Sequence, residues 1–369
     1  MIWLLAVVCA VAFGYQIVAL LASLRQLLRR DPAPTCFPAI SILKPVRGRD
    51  PGFYEAIRSH ALQDYPGEVE ILFGVADPQD PALEDFERLR VEFPAVSLRL
   101  VHSTTPAPNG KVGVLQDLAR RAKHDIWLVN DSDIRVPPGY LRQVVAPLED
   151  PNVGVVTCLY RATSATWAGS FEALGIVTDF APSTLVAPMV GINEFGLGST
   201  LVFRCEDLEA IGGFAALADC IADDYQLAER IVTTLGRRVH LSKTVVETRL
   251  GEETWSGIWH HQVRWHRTIR VSRGAYIGLP ITNASLWALL AICCGAWFWA
   301  APLMAARMSM AVVAGWRVLR SPLAIRMAPL VPLRDLWGFA VWIAGLTGWT
   351  VRWRGKVLRL LPDGRIARQ

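Results

Sequence analysis

The sequence predicts an α/β protein: a doubly wound, parallel sheet carried between an N-terminal transmembrane helix and C-terminal membrane helices. Three observations predict it. Apolar, β-rich runs alternate with helix-period segments from about residue 40 to residue 131, the pattern of a parallel sheet covered by helices. Residues 2–24 form an almost wholly apolar run, long enough to span a bilayer. A second such run covers residues 283–303, in a chain of 369 residues that is 52% hydrophobic with a mean hydropathy of +0.29.

The first apolar run has no Lys or Arg before it, whereas Arg25, Arg29 and Arg30 follow it. A secretory signal carries its charge on the opposite side. The run therefore reads as a retained anchor (residues 1–30), with the N-terminus outside and the following domain in the cytoplasm. Asp31-Pro32-Ala33-Pro34 is a linker. Residues 40–43 then read as a strand ending in Lys44-Pro45, 52–63 as a helix, and 69–75 as a strand ending at Asp77. A helix is expected over 81–93, a strand over 96–101, a helix over 110–123 and a strand over 126–131. Residues 31–253 make the cytoplasmic domain. No G-x-G-x-x-G follows the first strand and no Walker A sequence occurs, so those nucleotide fingerprints are absent.

The chemistry collects where the last of these strands stops. Ile126-Trp127-Leu128-Val129-Asn130 runs straight into Asp131-Ser132-Asp133. A buried parallel strand delivers such groups to its carboxyl end, where open α/β sheets bind ligands. Two carboxylates one residue apart can reach one ion if the chain turns there, and hard oxygen ligands suit Mg²⁺ or Mn²⁺ together with substrate phosphates. An Asx-rich turn closing a strand is the bland alternative. Asp77 ends an earlier strand in the same way. Asp223-Asp224 opens a helical pattern over 226–235, where acids also serve as ordinary caps. Between them, Phe195-Gly196-Leu197-Gly198-Ser199-Thr200 is either a tight turn or a place where a ligand approaches the backbone. Lys44 and Lys111, each at the end of an element, are candidates for touching phosphate or for simple solvated or capping roles.

Residues 254–273 are dense in Trp and basic groups: Trp255, Trp259, His260, His261, Arg264, Trp265, His266, Arg267, Arg270 and Arg273. Trp255 and Trp259 lie at i, i+4, so the stretch reads as an amphipathic interfacial helix region, residues 254–279. Adjacent His260 and His261 face different ways on a helix and do not make a metal pair. Residues 280–369 form a membrane region and a basic tail. Arg307 interrupts the apolar stretch 304–316, which spans, lies flat or re-enters; Arg334 and Asp335 interrupt 328–350. Residues 304–369 hold eleven Lys/Arg against two Asp/Glu, a surplus of nine; the whole chain is +5, which leaves residues 1–303 at −4. A basic tail among Trp and Leu suits the anionic face of a membrane and argues against a nucleic-acid partner. The seven cysteines show no C-x-x-C or zinc spacing and read as reduced and mostly buried.

Taken together, these pieces resemble a family-2-type glycosyltransferase, and more narrowly the ceramide glucosyltransferase family, over roughly residues 35–275 and the flanking membrane segments. The matching pieces are Ser41-Ile42-Leu43-Lys44-Pro45, Asp64-Tyr65-Pro66, Val75-Ala76-Asp77-Pro78 with Asp80-Pro81, and Asn109-Gly110-Lys111. Asp131-Ser132-Asp133-Ile134-Arg135-Val136, Ala222-Asp223-Asp224-Tyr225 and Arg264-Trp265 complete them. Within that family the narrower similarity is to bacterial hopanoid-associated glycosyltransferases, through Val156-Thr157-Cys158-Leu159-Tyr160-Arg161, Val245-Val246-Glu247-Thr248 and residues 264–270. The resemblance implies a GT-A type, nucleotide-sugar-binding domain. It implies inverting transfer of one hexose, N-acetylglucosamine or glucose, from a UDP-sugar to a membrane lipid, a bacteriohopanetetrol-type hopanoid or ceramide. It places the protein as a multi-pass protein of the bacterial inner membrane, with Mg²⁺ or Mn²⁺ as cofactor. By position, Asp77 matches the nucleotide-contacting aspartate, Asp131 and Asp133 the metal-binding D-x-D, and Asp224 the base. Lys44, Lys111 and Asp131 fall on the donor side; His261, Arg264 and Trp265 fall on the (Q/R)-x-x-R-W motif, with His where Gln or Arg is usual. A processive polysaccharide synthase and a non-catalytic nucleotide- or lipid-binding membrane protein are the alternatives. Two-carboxylate glycosidase chemistry needs neither metal nor membrane and explains less.

Overall fold

A computed structural model describes residues 2–272 and 274–367; Arg273 of the basic stretch lies outside them. In chain order it contains α1 (Ile2–Leu28), β1 (Ile40–Val46), α2 (Phe53–Ala61), β2 (Val69–Val75), α3 (Ala82–Glu92), β3 (Ser97–His102), α4 (Gly110–Ala119), β4 (Ile126–Val129), α5 (Tyr140–Val145) and β5 (Val153–Thr163). There follow α6 (Trp167–Gly175), α7 (Ala181–Val186), β6 (Leu201–Arg204), α8 (Cys205–Ala210), α9 (Asp223–Leu235), β7 (Arg238–Arg249) and α10 (Trp255–Ser272). The chain continues through α11 (Ala284–Cys293), α12 (Trp297–Val312), α13 (Leu323–Arg326), α14 (Val331–Leu346), β8 (Thr350–Trp353) and β9 (Lys356–Arg359). These elements form two compact units. One holds residues 30–160, 193–249 and the chain from Arg365; the other holds the chain up to Arg29, residues 161–192 and residues 250–364.

The first unit is the α/β unit. Its seven strands run β3-β2-β1-β4-β6-β5-β7. β1 pairs in parallel with β2 and β4, and β2 with β3. β1 is buried along its whole length, as its run of apolar residues requires of a central strand covered on both faces. Alternate residues feed two cores: Ile40, Ile42, Ile71 and Phe73 pack with α2, α3 and α5, whereas Leu43 and Leu72 pack with α4 and α9. The expected parallel sheet is thus present with one strand reversed; β7 lies beside β5 in the same direction, Arg238 N–H donating to the Asn152 carbonyl and Leu250 N–H to the Thr163 carbonyl. β6 runs antiparallel to β4 and to β5. The chain moves outward from β1 to β2 and β3, then returns to place β4 on the other side of β1. That reversal opens a crevice at the carboxyl ends of β1 and β4, the switch point where ligands bind open α/β sheets.

The second unit is helical. Among the described residues, three of its helices are long and apolar enough to cross a membrane: residues 3–28, 167–190 and 297–318; residues 276–282 and 284–293 form a fourth candidate as a pair bent by 58°. α1, α11 and α12 meet through small residues, with Cys9, Ala12, Ala284, Ala288, Ala291 and Ala300 buried in one cluster. Small side chains let apolar helices approach closely where lipid gives no hydrophobic drive.

The single span expected over 283–303 is instead broken. Gly295 adopts a left-handed φ of 74°, and its neighbour Ala296 donates its N–H back to the Ala291 carbonyl, which ends α11. Conversely, Arg307 does not interrupt its helix. Its guanidinium is bidentate on Asp335, at 2.9 and 2.6 Å, and also donates to the Thr178 carbonyl at 2.7 Å; Ser285 donates to the same carboxylate at 2.6 Å. The residue pair that breaks the apolar pattern of two stretches is one satisfied ion pair. The seven cysteines are free, but only Cys9, Cys158 and Cys220 are buried, fewer than their apolar neighbours in sequence suggest.

Gly74 in β2 faces α4, where an added Cβ would lie 3.0 Å from Leu118 and closer still to Val114. Gly74→Ala is expected to cost about 1–3 kcal/mol by overpacking, read as a lowered thermal midpoint of the detergent-solubilised protein.

Candidate active site

The acid-rich turn is held from below. Lys44 on β1 is fully buried, and its ammonium donates to Asn130 Oδ1 at 2.7 Å and to the Asp131 carbonyl at 3.0 Å. Asn130 Nδ2 lies 2.8 Å from His60 Nε2, and His60 Nδ1 lies 2.9 Å from the Ala56 carbonyl. That carbonyl can only accept, so Nδ1 carries the proton and Nε2 accepts from Asn130. Full burial pulls the Lys44 pKa down to about 7, although Asp133 and Asp131 oppose the shift. Burial also holds His60 well below its ordinary value, with the Lys44 charge adding to the effect. Lys44 therefore braces the D-x-D turn from beneath and does not present its ammonium to the crevice.

Above that floor, three separate segments converge on Gly198. The Asp131 N–H donates to the Gly198 carbonyl at 3.0 Å, and the Gly198 N–H donates to Asp224 Oδ2 at 2.7 Å. A Cβ at residue 198 would stand 3.0 Å from Asp131 Oδ2 and 3.2 Å from Asp224 Oδ2. The glycine is therefore the spacer between two carboxylates that are distant in sequence. Asp224 opens α9, and its carboxylate accepts its neighbour Tyr225's N–H at 2.8 Å. Burial, reinforced by Asp223, pushes its pKa up to about 6 against the pull of Lys111.

Lys111 is the cation of this cluster. Its ammonium lies 2.9 Å from Asp131 Oδ1 and 3.2 Å from Asp223 Oδ2. Burial opposes its charge, but Asp131, Asp223 and Asp224 outweigh that and raise its pKa. Asn109 sets its position by capping α4: the Asn109 side chain accepts the Lys111 N–H at 3.1 Å and donates to the Cys220 carbonyl at 2.9 Å. Asp133 accepts from the Thr248 hydroxyl, and Ser132 between the two acids donates to Asp50 at 2.9 Å. Burial and the Asp131 charge raise the Asp133 pKa, as expected for two carboxylates held together. Such a pair fits a divalent cation, which would relieve that repulsion. Among the described residues no three His, Cys, Asp or Glu side chains converge, so further ligands must come from elsewhere, as Mg²⁺ sites commonly draw them from phosphates.

The other expected residues are placed differently. Asp77 lies exposed just past β2, and its carboxylate accepts the Gln79 N–H at 2.9 Å. His261, Arg264 and Trp265 lie on α10, in the helical unit. His261 Nδ1 pairs with Glu172 Oε1 at 2.6 Å, and its ring centroid is 4.7 Å from that of Trp265. His260 turns the other way, to the Ser256 carbonyl at 2.7 Å, so the two histidines share no ligand position. Sequence reasoning missed Asn130 and His60 in the floor, and Asn109 as the cap that aims Lys111. Only the last had a local signal, an Asn before a helical period.

Known proteins share sequence and fold with this chain. The family described as Glycosyl transferase family 21 matches residues 4–366. Ceramide glucosyltransferase 1 of Caenorhabditis elegans is 25% identical over 228 residues, covering 61% of this chain and 48% of that protein. The ceramide glucosyltransferase of Komagataella phaffii is 31% identical over 236 residues, covering 62% of this chain and 44% of that protein. The match thus spans less than half the length of either relative. Among solved structures, a mannosyltransferase from Pyrobaculum calidifontis, in complex with GDP-Man and Mn²⁺, superposes with a TM-score of 0.55 at 21% identity, covering 94% of this chain and 98% of that one. At that identity the likeness is one of fold.

Lys111→Met would leave Asp131 and Asp223 without their cation. It is expected to cost about 1–3 kcal/mol at neutral pH. Carboxylates whose folded pKa is raised destabilise the fold when ionised, so the deficit should shrink as pH falls through about 6, where Asp224 takes a proton. Thermal midpoints of variant and parent across pH check this.

Proposed function

The chain belongs to glycosyl transferase family 21, and on that premise we propose that it moves one hexose from a UDP-sugar to a hydroxyl of a membrane lipid. One observation carries the reading: Asp131 and Asp224 face each other across Gly198 at the switch point of the sheet. In this reading Asp131 and Asp133 hold a divalent cation, Mg²⁺ or Mn²⁺, which when bound neutralises the leaving diphosphate as a Lewis acid. Asp77 contacts the nucleotide. Lys111, already beside Asp131, adds a fixed positive charge on the donor side, and Lys44 keeps the turn in place from below.

Asp224 acts as the general base. It takes the proton of the acceptor hydroxyl as that oxygen bonds to the anomeric carbon and the bond from carbon to the diphosphate oxygen breaks. Its raised pKa suits that task, since a base works best near the operating pH. Direct displacement gives an inverted, β-linked product. His261, Arg264 and Trp265 serve the acceptor side. The donor is UDP-N-acetylglucosamine and the acceptor a bacteriohopanetetrol-type hopanoid; the names of the relatives favour a second reading, glucose onto ceramide. The protein is then a multi-pass protein of the inner membrane, with its α/β unit in the cytoplasm.

The test incubates detergent-solubilised protein with each UDP-sugar, a divalent metal and each lipid, followed by mass spectrometry of the lipid fraction. One sugar per lipid is expected; a polymer would point to a processive synthase, and no product to a binding protein. Asp224→Asn should lower turnover by about 10²–10⁴-fold. Gly198→Ala, which pushes Asp131 and Asp224 apart, should lower it by about 100-fold, the scale of a small misplacement of reacting groups. Because Asp224 must be ionised, turnover should fall as pH drops through about 6. A rate that stays flat through that range would remove Asp224 from the role of base.

A further inference from the structure

The helical unit holds two groups of buried charged residues, and they differ in how completely they are satisfied. Arg307 and Asp335 pair with one another, and Thr178 and Ser285 complete them. The second group is built from Glu172 on α6, His261 and Gln262 on α10, and Arg334 and Trp337 on α14. Glu172, Gln262 and Arg334 are 1%, 4% and 8% exposed. Gln262 Oε1 accepts from Arg334 Nη2 at 3.2 Å and from Trp337 Nε1 at 3.0 Å. Arg334 packs on Gly175, one turn beyond Glu172, where a Cβ would strike its guanidinium. Yet Glu172 Oε2, Gln262 Nε2 and Arg334 Nε each find no hydrogen-bond partner among the described residues. No ion pair joins Glu172 to Arg334 among the described residues, although both belong to one cluster.

Leaving a charged group's atom buried and unpaired costs free energy, so such atoms in a fold are strained, hydrated or in contact with a ligand. Three of them in one cluster, from three helices, have a definite chemical complement. The carboxylate oxygen accepts; the amide and guanidinium nitrogens donate. An occupant must therefore donate one hydrogen bond and accept two. A hydroxyl beside a second hydroxyl or an amide does this, and an uncharged head balances one carboxylate against one guanidinium. The surroundings are aromatic. The Phe171 and Trp255 ring centroids lie 5.8 and 6.0 Å from that of Trp337, and Trp259 lies 5.3 Å from it. Amphipathic rings of this kind gather at the level where lipid heads meet chains.

We infer that Glu172, Gln262 and Arg334 form a polar seat within the helical unit for the uncharged, hydroxyl- or amide-bearing head of a membrane lipid. Glu172 additionally orients His261 through its other oxygen. The seat deepens the lipid-acceptor reading and rests on it. Glu172 and Arg334 lie outside the motifs that carry the family resemblance, and Gln262 stands at a variable position between His261 and Arg264.

The test uses full-length protein in nanodiscs and two variants. Glu172→Gln turns the unpaired acceptor into a donor while keeping an oxygen for His261; Gln262→Met removes the unpaired donor. Both KM values, donor hydrolysis in the absence of lipid, and thermal midpoints are measured with bacteriohopanetetrol, ceramide and phosphatidylglycerol as lipid probes. The seat requires the acceptor KM to rise about 10- to 100-fold in each variant, the worth of one charged hydrogen bond, with donor KM and donor hydrolysis unchanged. Turnover in the parent with an unchanged acceptor KM in both variants would overturn the seat and leave the transferase reading standing. If the parent transfers no sugar, lipid binding by native mass spectrometry decides. Retention of the two neutral lipids over phosphatidylglycerol by the parent, lost in Glu172→Gln, sustains the seat even as the transferase reading fails. Equal retention by both proteins overturns it.

Discussion

Like charges crowded at one edge of a sheet are the constraint from which the site follows. Asp131, Asp133, Asp223 and Asp224 arrive from two distant segments, and Gly198 lets Asp131 and Asp224 come close without touching. Such a group is stable only with positive charge nearby, and Lys111 supplies it at about hydrogen-bond distance from two of the four. The floor of Lys44, Asn130 and His60 keeps the turn from relaxing outward, because a buried ammonium without those partners would be far more costly than the turn it holds. The sheet topology decides where this happens: the strand order reverses between β1 and β4, and both Lys44 and Asn130 stand at that reversal.

Much of this was legible in the sequence, for identifiable reasons. The D-x-D turn showed because an apolar run ended abruptly in acids, and the parallel strands β1 to β4 showed because helical and apolar periods alternated. The reversal of β6 did not, because direction is set by pairing partners: β5 and β6 are separated by the 161–192 insertion that joins the helical unit. The role of Lys44 stayed open between phosphate contact and capping, since a strand-end lysine looks the same in sequence whether its ammonium points to solvent or to a buried asparagine. The helix over 167–190 was overlooked because Glu172 and Asp179 interrupt its apolar pattern, and the break at Gly295 was hidden inside an unbroken apolar run.

In the helical unit, charge again separates structure from function. Arg307 and Asp335 satisfy each other fully, which explains how two helices carry charges through apolar surroundings. Glu172, Gln262 and Arg334 are equally buried but incompletely paired. The contrast lies in hydrogen-bond completeness and not in depth, so depth alone would have ranked the two groups alike. Small residues lock the α1, α11 and α12 contact, and aromatic rings surround the incompletely paired group.

The acids at the carboxyl end of β4 are proposed to form a cation-dependent clamp for a nucleoside diphosphate. Calorimetric titration of UDP into the protein, with Mn²⁺ and then with a chelator, tests it most directly, with Asp131→Asn alongside. UDP should bind with Mn²⁺ and lose that binding both in chelator and in the variant. Equal binding with and without the metal, unaffected by Asp131→Asn, would contradict the clamp and require the carboxylates to serve another purpose.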